Sequence, residues 1–204
     1  PRNRTINKEE EINPGFHTFE FPLVIKPFRS KVLKDGIIEN LNVLFAYSLK
    51  DFERKCRRLL LCGPISVQTF VRGIVIGQSF LMRHGEPLAI FQYQRVHQPE
   101  FGGGSSYRKS IPVDDNILKH SLMILNEVKL NGVAMVEYIV GSDNIPYLME
   151  INGRFWGSLP LPIFAGVDFP LLLFKMYTGG CAKVSTGSYL TDVYVRNIRK
   201  DLQH

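Results

Sequence analysis

The chain contains 204 residues, of which 45% are hydrophobic and 22% are charged, which is enough for one sizeable core or two small lobes. No apolar run reaches the ~18 residues that a membrane-spanning helix requires, and the opening PRNRTINKEEE lacks the shape of a signal peptide. The net charge of +6 comes from basic residues scattered along the chain, which suits a phosphate-bearing small ligand as well as a nucleic acid.

The first predicted elements lead to a lysine at the end of a strand. The sequence predicts a short strand near Arg4–Ile6, a charged helix that ends before Pro14, and a strand over Phe21–Pro27. Lys26 ends this strand and is held by the proline that follows it. Its ammonium group could contact phosphates, although surface lysines at strand ends are also common.

The next segment, Arg29–Gly36, is basic and contains a single glycine, and we predict a loop that covers phosphates. Its backbone amides would cradle an anion less well than those of a glycine-rich loop. A strand over Asn42–Tyr47, an amphipathic helix over Leu49–Leu61 and a strand over Ile65–Val71 follow.

A glycine-rich segment follows a predicted hairpin whose strands are Ile74–Arg83 and Leu88–Val96. In Phe101–Arg108, FGGGSSYR, three glycines and two serines offer amides and hydroxyls to an anion, and Arg108 adds a guanidinium. The same composition also suits a flexible linker. Strands are predicted on both sides, which excludes a dinucleotide-binding loop, since that loop opens a helix.

The strongest pattern is a second predicted hairpin, with strands Val133–Tyr138 and Ile145–Ile151, preceded by a helix that Asp114 caps. A turn centred on Asp143–Asn144 places Glu137 opposite Glu150, and Asn152 projects from the same face. Opposed carboxylates destabilise a hairpin unless a cation neutralises them, and Mg²⁺ prefers such oxygen ligands. Arg154 follows at the same parity and could contact a phosphate. The alternative is an exposed edge hairpin with solvated charges.

The C-terminal part is predicted to cover the sheet. Helices are expected over Leu159–Ala165 and Phe169–Tyr177, the second capped by Asp168, and an edge strand over Tyr189–Val195. Trp156 is interpreted as a core residue rather than as a ligand-stacking one. Together these elements predict an α+β fold with a large antiparallel sheet.

These residues resemble the ATP-grasp superfamily. Glu137, then Glu150-Ile-Asn152-Gly-Arg154 within MEINGRFWGS, and then AGVDFPLLL, are similar to the metal-binding end of carbamoyl-phosphate-synthetase-like carboxylate–amine ligases. The resemblance implies a small subdomain at residues 1–66, a larger one at 67–204 with the metal and substrate sites, and ATP between them. Relatives have an N-terminal domain and an earlier ATP-contacting lysine that this sequence lacks, so we expect a fragment.

The resemblance also implies roles for individual residues. Arg154 and Arg108 would be catalytic, and Arg108 would bind substrate together with three neighbours, Gly104, Ser105 and Ser106. The metal ligands would be Glu137, Glu150 and Asn152. Lys26 would contact phosphates, and adenine would pair with the backbone of four residues, Gln68, Thr69, Phe70 and Val71. The last stretch lacks the acid that relatives use for ribose.

The implied function is an ATP- and Mg²⁺-dependent ligase, with Mn²⁺ as a substitute metal, that joins a carboxylate to an amine through an acyl-phosphate. The alternative is a degenerate nucleotide-binding or regulatory module without ligase activity. A nucleic-acid binder would rest on net charge alone, so nucleic acid and membrane are not expected as partners. The sequence is compatible with a homodimer. The odd number of irregularly spaced cysteines, Cys56, Cys62 and Cys181, indicates a reducing compartment and so a cytoplasmic protein.

Overall fold

The computed structural model describes residues 2–12, 16–34, 36–97, 105–179 and 188–201. The chain forms two compact units, Pro1–Val71 and Arg72–His204. The boundary therefore follows Val71 rather than Ser66. The reason is that the strand Ile65–Thr69 pairs with two strands of the first unit, so it belongs to that sheet.

The first unit contains a four-stranded antiparallel sheet and one long helix. The sheet has the order β1–β6–β2–β5, and its strands are β1 (Asn3–Ile6), β2 (Leu23–Pro27), β5 (Leu44–Ala46) and β6 (Ile65–Thr69). A short 3-10 helix, Glu9–Ile12, stands in place of the predicted charged helix, and a second one, Phe16–Thr18, comes later in the chain. Helix α1 (Leu49–Leu60) buries Phe52, Cys56 and Leu59 in the core of this unit.

The predicted phosphate loop is instead part of a two-stranded hairpin. Strands β3 (Lys31–Lys34) and β4 (Ile37–Asn40) pair with each other, and Gly36 has the positive φ of 77° that favours glycine. The pattern was missed because neither strand has a buried face, so no polar–apolar alternation marks them.

The second unit is built on a six-stranded antiparallel sheet with the order β11–β10–β7–β8–β9–β12. The strands are β7 (Gly73–Arg83), β8 (Glu86–His97), β9 (Tyr107–Ser110), β10 (Gly132–Gly141), β11 (Pro146–Asn152) and β12 (Tyr194–Arg196). The α+β prediction with a large antiparallel sheet is confirmed. Strand β12 lies at an edge as predicted, but it covers Tyr194–Arg196 rather than Tyr189–Val195.

Helices cover both faces of this sheet. Helix α2 (Asp115–Glu127) is capped by Asp114, whose carboxylate accepts a hydrogen bond of 3.0 Å from the Ile117 amide, and it packs on one apolar cluster. Helices α3 (Pro160–Phe164) and α4 (Phe169–Tyr177) pack on the other, which includes Trp156. A short helix, α5 (Ile198–Asp201), follows β12. Within the described residues, no helix combines the length and apolarity needed to cross a membrane.

Candidate functional site

The β10–β11 hairpin brings two carboxylates opposite each other. Glu137 pairs with Glu150, as the sequence predicts, and Met135 pairs with Asn152. The register is reached by two compensating irregularities. Near the turn, Gly141 and Ile145 close a three-residue loop in which Asn144 has a φ of 57°. An irregularity between Glu137 and Tyr138 then shifts the pairing by one residue and returns Glu150 to its place opposite Glu137.

Glu137 is buried and held by three donors. The Tyr93 hydroxyl donates to its Oε1 at 2.6 Å, and the Arg95 guanidinium donates from Nε to Oε1 at 3.1 Å and from Nη2 to Oε2 at 2.6 Å. Burial alone raises the pKa of Glu137, but the charge of Arg95 and the donated hydrogen bonds outweigh it and hold that pKa below its usual value. Glu137 is therefore ionised at neutral pH.

Glu150 lies in a different environment. It is exposed, and its Oε1 accepts a hydrogen bond of 2.8 Å from Nδ2 of Asn152. Partial burial of the carboxyl group and the neighbouring Glu137 charge raise the pKa of Glu150. The charge of Glu137 thus opposes ionisation of Glu150, which a cation between the two carboxylates would favour.

A cavity of about 410 Å³ opens beside these carboxylates. Its wall contains both glutamates, Asn152 and four arginines, Arg95, Arg108, Arg154 and Arg196. Apolar side chains of Trp156 and Leu161 form another part of the wall. The excess of cationic groups makes the cavity suitable for an anion.

Arg108 is the least satisfied cation of this cavity. Its guanidinium makes no hydrogen bond or ion pair with any residue that the structure describes, and its Nε is buried. Burial lowers the pKa of Arg108. The buried Nε1 of Trp156, beside the same cavity, also has no partner among the described residues. Buried donors without partners are rare in proteins, and here they border a space that a ligand could fill.

Gly77 allows Tyr93 to reach Glu137 across an intervening strand. Glu137 on β10 pairs with Gly77 on β7, and Gly77 pairs with Tyr93 on β8. The Tyr93 ring lies over Gly77, where any Cβ would overlap it. The absence of a side chain at this position is therefore what permits the 2.6 Å hydrogen bond between Tyr93 and Glu137.

We expect Gly77→Ala to lower the free energy of unfolding by about 1–3 kcal/mol, because the methyl group overpacks a buried ring. Urea denaturation measures the change. Gly153→Ala is the matched control, since a Cβ at Gly153 meets no atom within 4 Å. Equal stability of the two variants would contradict this account of Gly77.

The family to which the chain belongs is decided by its second unit. Residues 81–200 match the model of the family described as "ATP-grasp in the biosynthetic pathway with Ter operon". The chain belongs to this ATP-grasp family. No curated protein matches the chain.

Solved structures of several synthetases and ligases share the fold at low sequence identity. N5-carboxyaminoimidazole synthetase from Staphylococcus aureus is 14% identical, with a TM-score of 0.70 over 99% of this chain and 53% of that chain. L-amino acid ligase from Bacillus licheniformis is 16% identical, with a TM-score of 0.66 over 86% and 44%. D-alanine–D-alanine ligase from Bacillus anthracis, complexed with ATP, is 20% identical, with a TM-score of 0.52 over 75% and 47%. The present chain spans about half the length of these proteins.

The segment before Arg108 is only partly described. Gly104 lies outside the described residues. The buried Ser105 hydroxyl is 2.6 Å from the carbonyl oxygen of His97 and 2.7 Å from that of Tyr107, and the Ser106 hydroxyl donates to Asp201 at 2.6 Å. Both hydroxyls therefore have partners within the second unit, and their assignment to a substrate stays a prediction.

Asp201 anchors the C-terminal segment to this part of the sheet. Besides Ser106, its carboxylate contacts Nδ1 of His97 at 3.0 Å and pairs with Arg196. Hydrogen bonds from Ser106, His97 and Arg196 lower the pKa of Asp201 to about 2. This ionised carboxylate helps to hold Arg196, and with it one side of the cavity, against the ends of β8 and β9.

The predicted nucleotide-binding residues lie in the first unit. Lys26 is on β2 opposite Ser66, and Gln68 and Thr69 are on β6. The Thr69 amide donates to the carbonyl oxygen of Arg2 at 3.0 Å, and the Phe70 amide donates to that of Pro22 at 3.3 Å. Val71 ends the unit. The adenine-binding role of residues 68–71 stays a prediction. Because the amides of Thr69 and Phe70 already donate within the first unit, adenine would have to pair with other backbone groups of this stretch.

A larger depression of about 980 Å³ lies in the first unit, but none of the predicted site residues lines its described wall. Basic side chains from the β3–β4 hairpin and from α1 line it, among them Lys31, Lys34 and Arg58. Its described lining includes neither Lys26 nor the predicted adenine-binding residues. The smaller cavity of the second unit, by contrast, is lined by the opposed carboxylates.

Sequence reasoning missed three residues of the site: Gly77, Tyr93 and Arg95. A signal for two of them was present. In Phe91–Arg95, FQYQR, an aromatic hydroxyl and a guanidinium share one parity with a core phenylalanine, so they project from a largely buried face. A charge on such a face is expected to have a partner.

Proposed function

We propose that this chain is the part of an ATP- and Mg²⁺-dependent ligase that activates a carboxylate as an acyl-phosphate and transfers it to an amine. The observation that carries the proposal is the unpartnered guanidinium of Arg108 in the same cavity as the opposed Glu137 and Glu150. An anion site beside a cation site suits the joining of a carboxylate to a phosphoryl group.

The donor set fits Mg²⁺ better than a softer metal. Glu137, Glu150 and the Asn152 amide offer oxygen ligands on one cavity wall, which is the chemistry that Mg²⁺ prefers. Among the described residues, no group of three or more His, Cys, Asp or Glu side chains could hold a metal on its own. Such a sparse set is typical of Mg²⁺ sites that water and substrate phosphates complete, and the ion would neutralise charge on the phosphates.

The proposed reaction has two steps. A carboxylate oxygen of the substrate attacks the γ-phosphorus of ATP, the bond to the β-phosphate oxygen breaks, and ADP leaves. The amine nitrogen then attacks the acyl carbon, and inorganic phosphate leaves with the electron pair of the C–O bond and takes up the proton that the amine loses. Arg108 would hold the carboxylate in line, and the exposed Arg154 would stabilise charge on the transferred group. Several of the structural neighbours are ligases, which supports this class of reaction.

The proposal predicts that ATP binding depends on Mg²⁺ and that Glu150→Gln weakens it by about tenfold or more, because one cation ligand loses its charge. Isothermal titration calorimetry with Mg²⁺ and with EDTA measures both effects. Asp143→Asn is the control, since this carboxylate belongs to the same hairpin but bonds to Ile145 and Tyr147 instead. Equal ATP affinity with Mg²⁺ and with EDTA would show that the metal assignment is wrong.

A further inference from the structure

Arg95 stands between the proposed cation site and the proposed anion site. On one side its guanidinium makes two hydrogen bonds to Glu137, of 3.1 and 2.6 Å. On the other side Arg95 pairs directly with Arg108 in the β8–β9 register. Both arginines line the same cavity. A single side chain is thus next to a metal-ligand candidate and next to an unpartnered cation.

The contacts of Glu137 leave little room for a cation. A carboxylate has about four lone-pair positions, and Tyr93 and Arg95 together direct three donors at them. The ion pair is also largely removed from solvent, with side-chain exposures of 9% for Arg95 and 2% for Glu137. A divalent ion that binds Glu137 must therefore share this carboxylate with Arg95 or displace it.

Arg108, the other neighbour of Arg95, favours movement of the displaced guanidinium toward an anion. Two cations opposite each other on adjacent strands repel, and the Arg95–Arg108 pair has that arrangement. The repulsion is relieved when an anion lies between them. A carboxylate or a phosphoryl oxygen at Arg108 would be within the same cavity as Arg95 and could accept from both guanidinium groups.

We propose that Arg95 is a positioning residue that holds Glu137 in the metal-free protein and that turns to the anion beside Arg108 when a divalent cation binds. The proposal rests on the function proposed above. It adds that the carboxylate or acyl-phosphate is bound by two arginines, the second of which is available only after the metal site is filled. Metal binding and anion binding are then coupled through one side chain.

The proposal makes an unusual prediction for Arg95→Gln. Because a competitor for Glu137 is lost, the variant should bind Mn²⁺ about three- to tenfold more tightly than the unmodified protein. At saturating Mn²⁺ it should bind inorganic phosphate about tenfold more weakly, because one guanidinium is missing. Mn²⁺ binding is followed by electron paramagnetic resonance of the free ion, and phosphate binding by calorimetry.

Two further variants make the test decisive. Arg154→Gln removes an equal charge from the same cavity without touching Glu137, so its Mn²⁺ affinity should change much less than that of Arg95→Gln. Arg95→Lys keeps the charge but loses the two-pronged contact, and it serves in place of Arg95→Gln if the latter does not fold. Arg95→Lys should bind Mn²⁺ more tightly than the unmodified protein, but by a smaller factor than Arg95→Gln.

The outcomes separate the two proposals. Weaker Mn²⁺ binding by both Arg95 variants would mean that Arg95 only supports the metal ligand, and the inference would be wrong while the proposed function stands. Tighter Mn²⁺ binding with unchanged phosphate affinity would overturn the transfer of Arg95 to the anion. No Mn²⁺ binding by the unmodified protein would overturn the proposed function itself, and the inference with it.

Discussion

Glu137→Gln is expected to lower the free energy of unfolding by about 3 kcal/mol in EDTA, because it breaks a buried ion pair and leaves the charge of Arg95 without its carboxylate. Glu137 is 1% exposed, and its carboxylate accepts hydrogen bonds from Arg95 and Tyr93. The oxygen of a neutral amide of the same shape can keep the two hydrogen bonds that Oε1 accepts, but its NH₂ group then faces the Nη2 donor of Arg95.

The matched control is Glu150→Gln on the opposite strand. Glu150 is exposed, and removal of its charge also removes the like-charge opposition with Glu137. The free energy of unfolding of Glu150→Gln in EDTA should therefore stay within about 0.5 kcal/mol of the value for the unmodified protein or rise slightly. Urea denaturation of both variants gives the comparison. A loss for Glu150→Gln as large as that for Glu137→Gln would mean that the two carboxylates have the same role in the metal-free fold.

Under the proposed function, Arg108→Ala is expected to reduce ligase turnover by about 100-fold or more and to leave ATP affinity nearly unchanged, because the lost guanidinium would position the carboxylate and not the nucleotide. The stability of Arg108→Ala is a second, independent test. Since Arg108 has no hydrogen bond or ion pair to the described residues, its removal should not destabilise the fold. Turnover is measured in the full-length protein as ADP release with a panel of carboxylates and amines, and stability as the thermal midpoint.

The neighbouring residue supplies the control for this prediction. Lys109 is also a cation on β9, but alternate residues of a strand face opposite sides, and Lys109 does not line the cavity. Lys109→Ala should keep its turnover. Full turnover in Arg108→Ala, or a loss of ATP affinity equal to that of Glu150→Gln, would show that the carboxylate is bound elsewhere. ATP binding without turnover in the unmodified protein would favour the regulatory alternative.

Local features of the fold were predictable because their physical causes are local. The caps Asp114 and Asp168 were read from the sequence, and each carboxylate accepts from the amide three residues later, Ile117 and Leu171. The opposition of Glu137 and Glu150 followed from strand parity and from a turn between them. The predicted register was right at the Glu137–Glu150 pair, although the shorter turn and the pairing shift that produce it were not foreseen.

Features that join distant strands could not be read in the same way. The contact of Tyr93 with Glu137 requires that β7 lie between β8 and β10 and that Gly77 stand at the crossing point. The contact of Ser106 with Asp201 spans 95 residues. The β3–β4 hairpin lacks a buried face, so its strands leave no periodic signature.

The sequence alone determined the α+β class, the metal-ligand candidates Glu137, Glu150 and Asn152, and the cationic candidates Arg108 and Arg154, because residue type, spacing and parity are properties of neighbouring positions. Tertiary structure alone decided that Glu137 is paired with Arg95 and that Arg108 has no partner among the described residues. The physical reason is that a charge is satisfied or left unsatisfied by groups that strand order brings beside it, and strand order depends on the packing of the whole sheet.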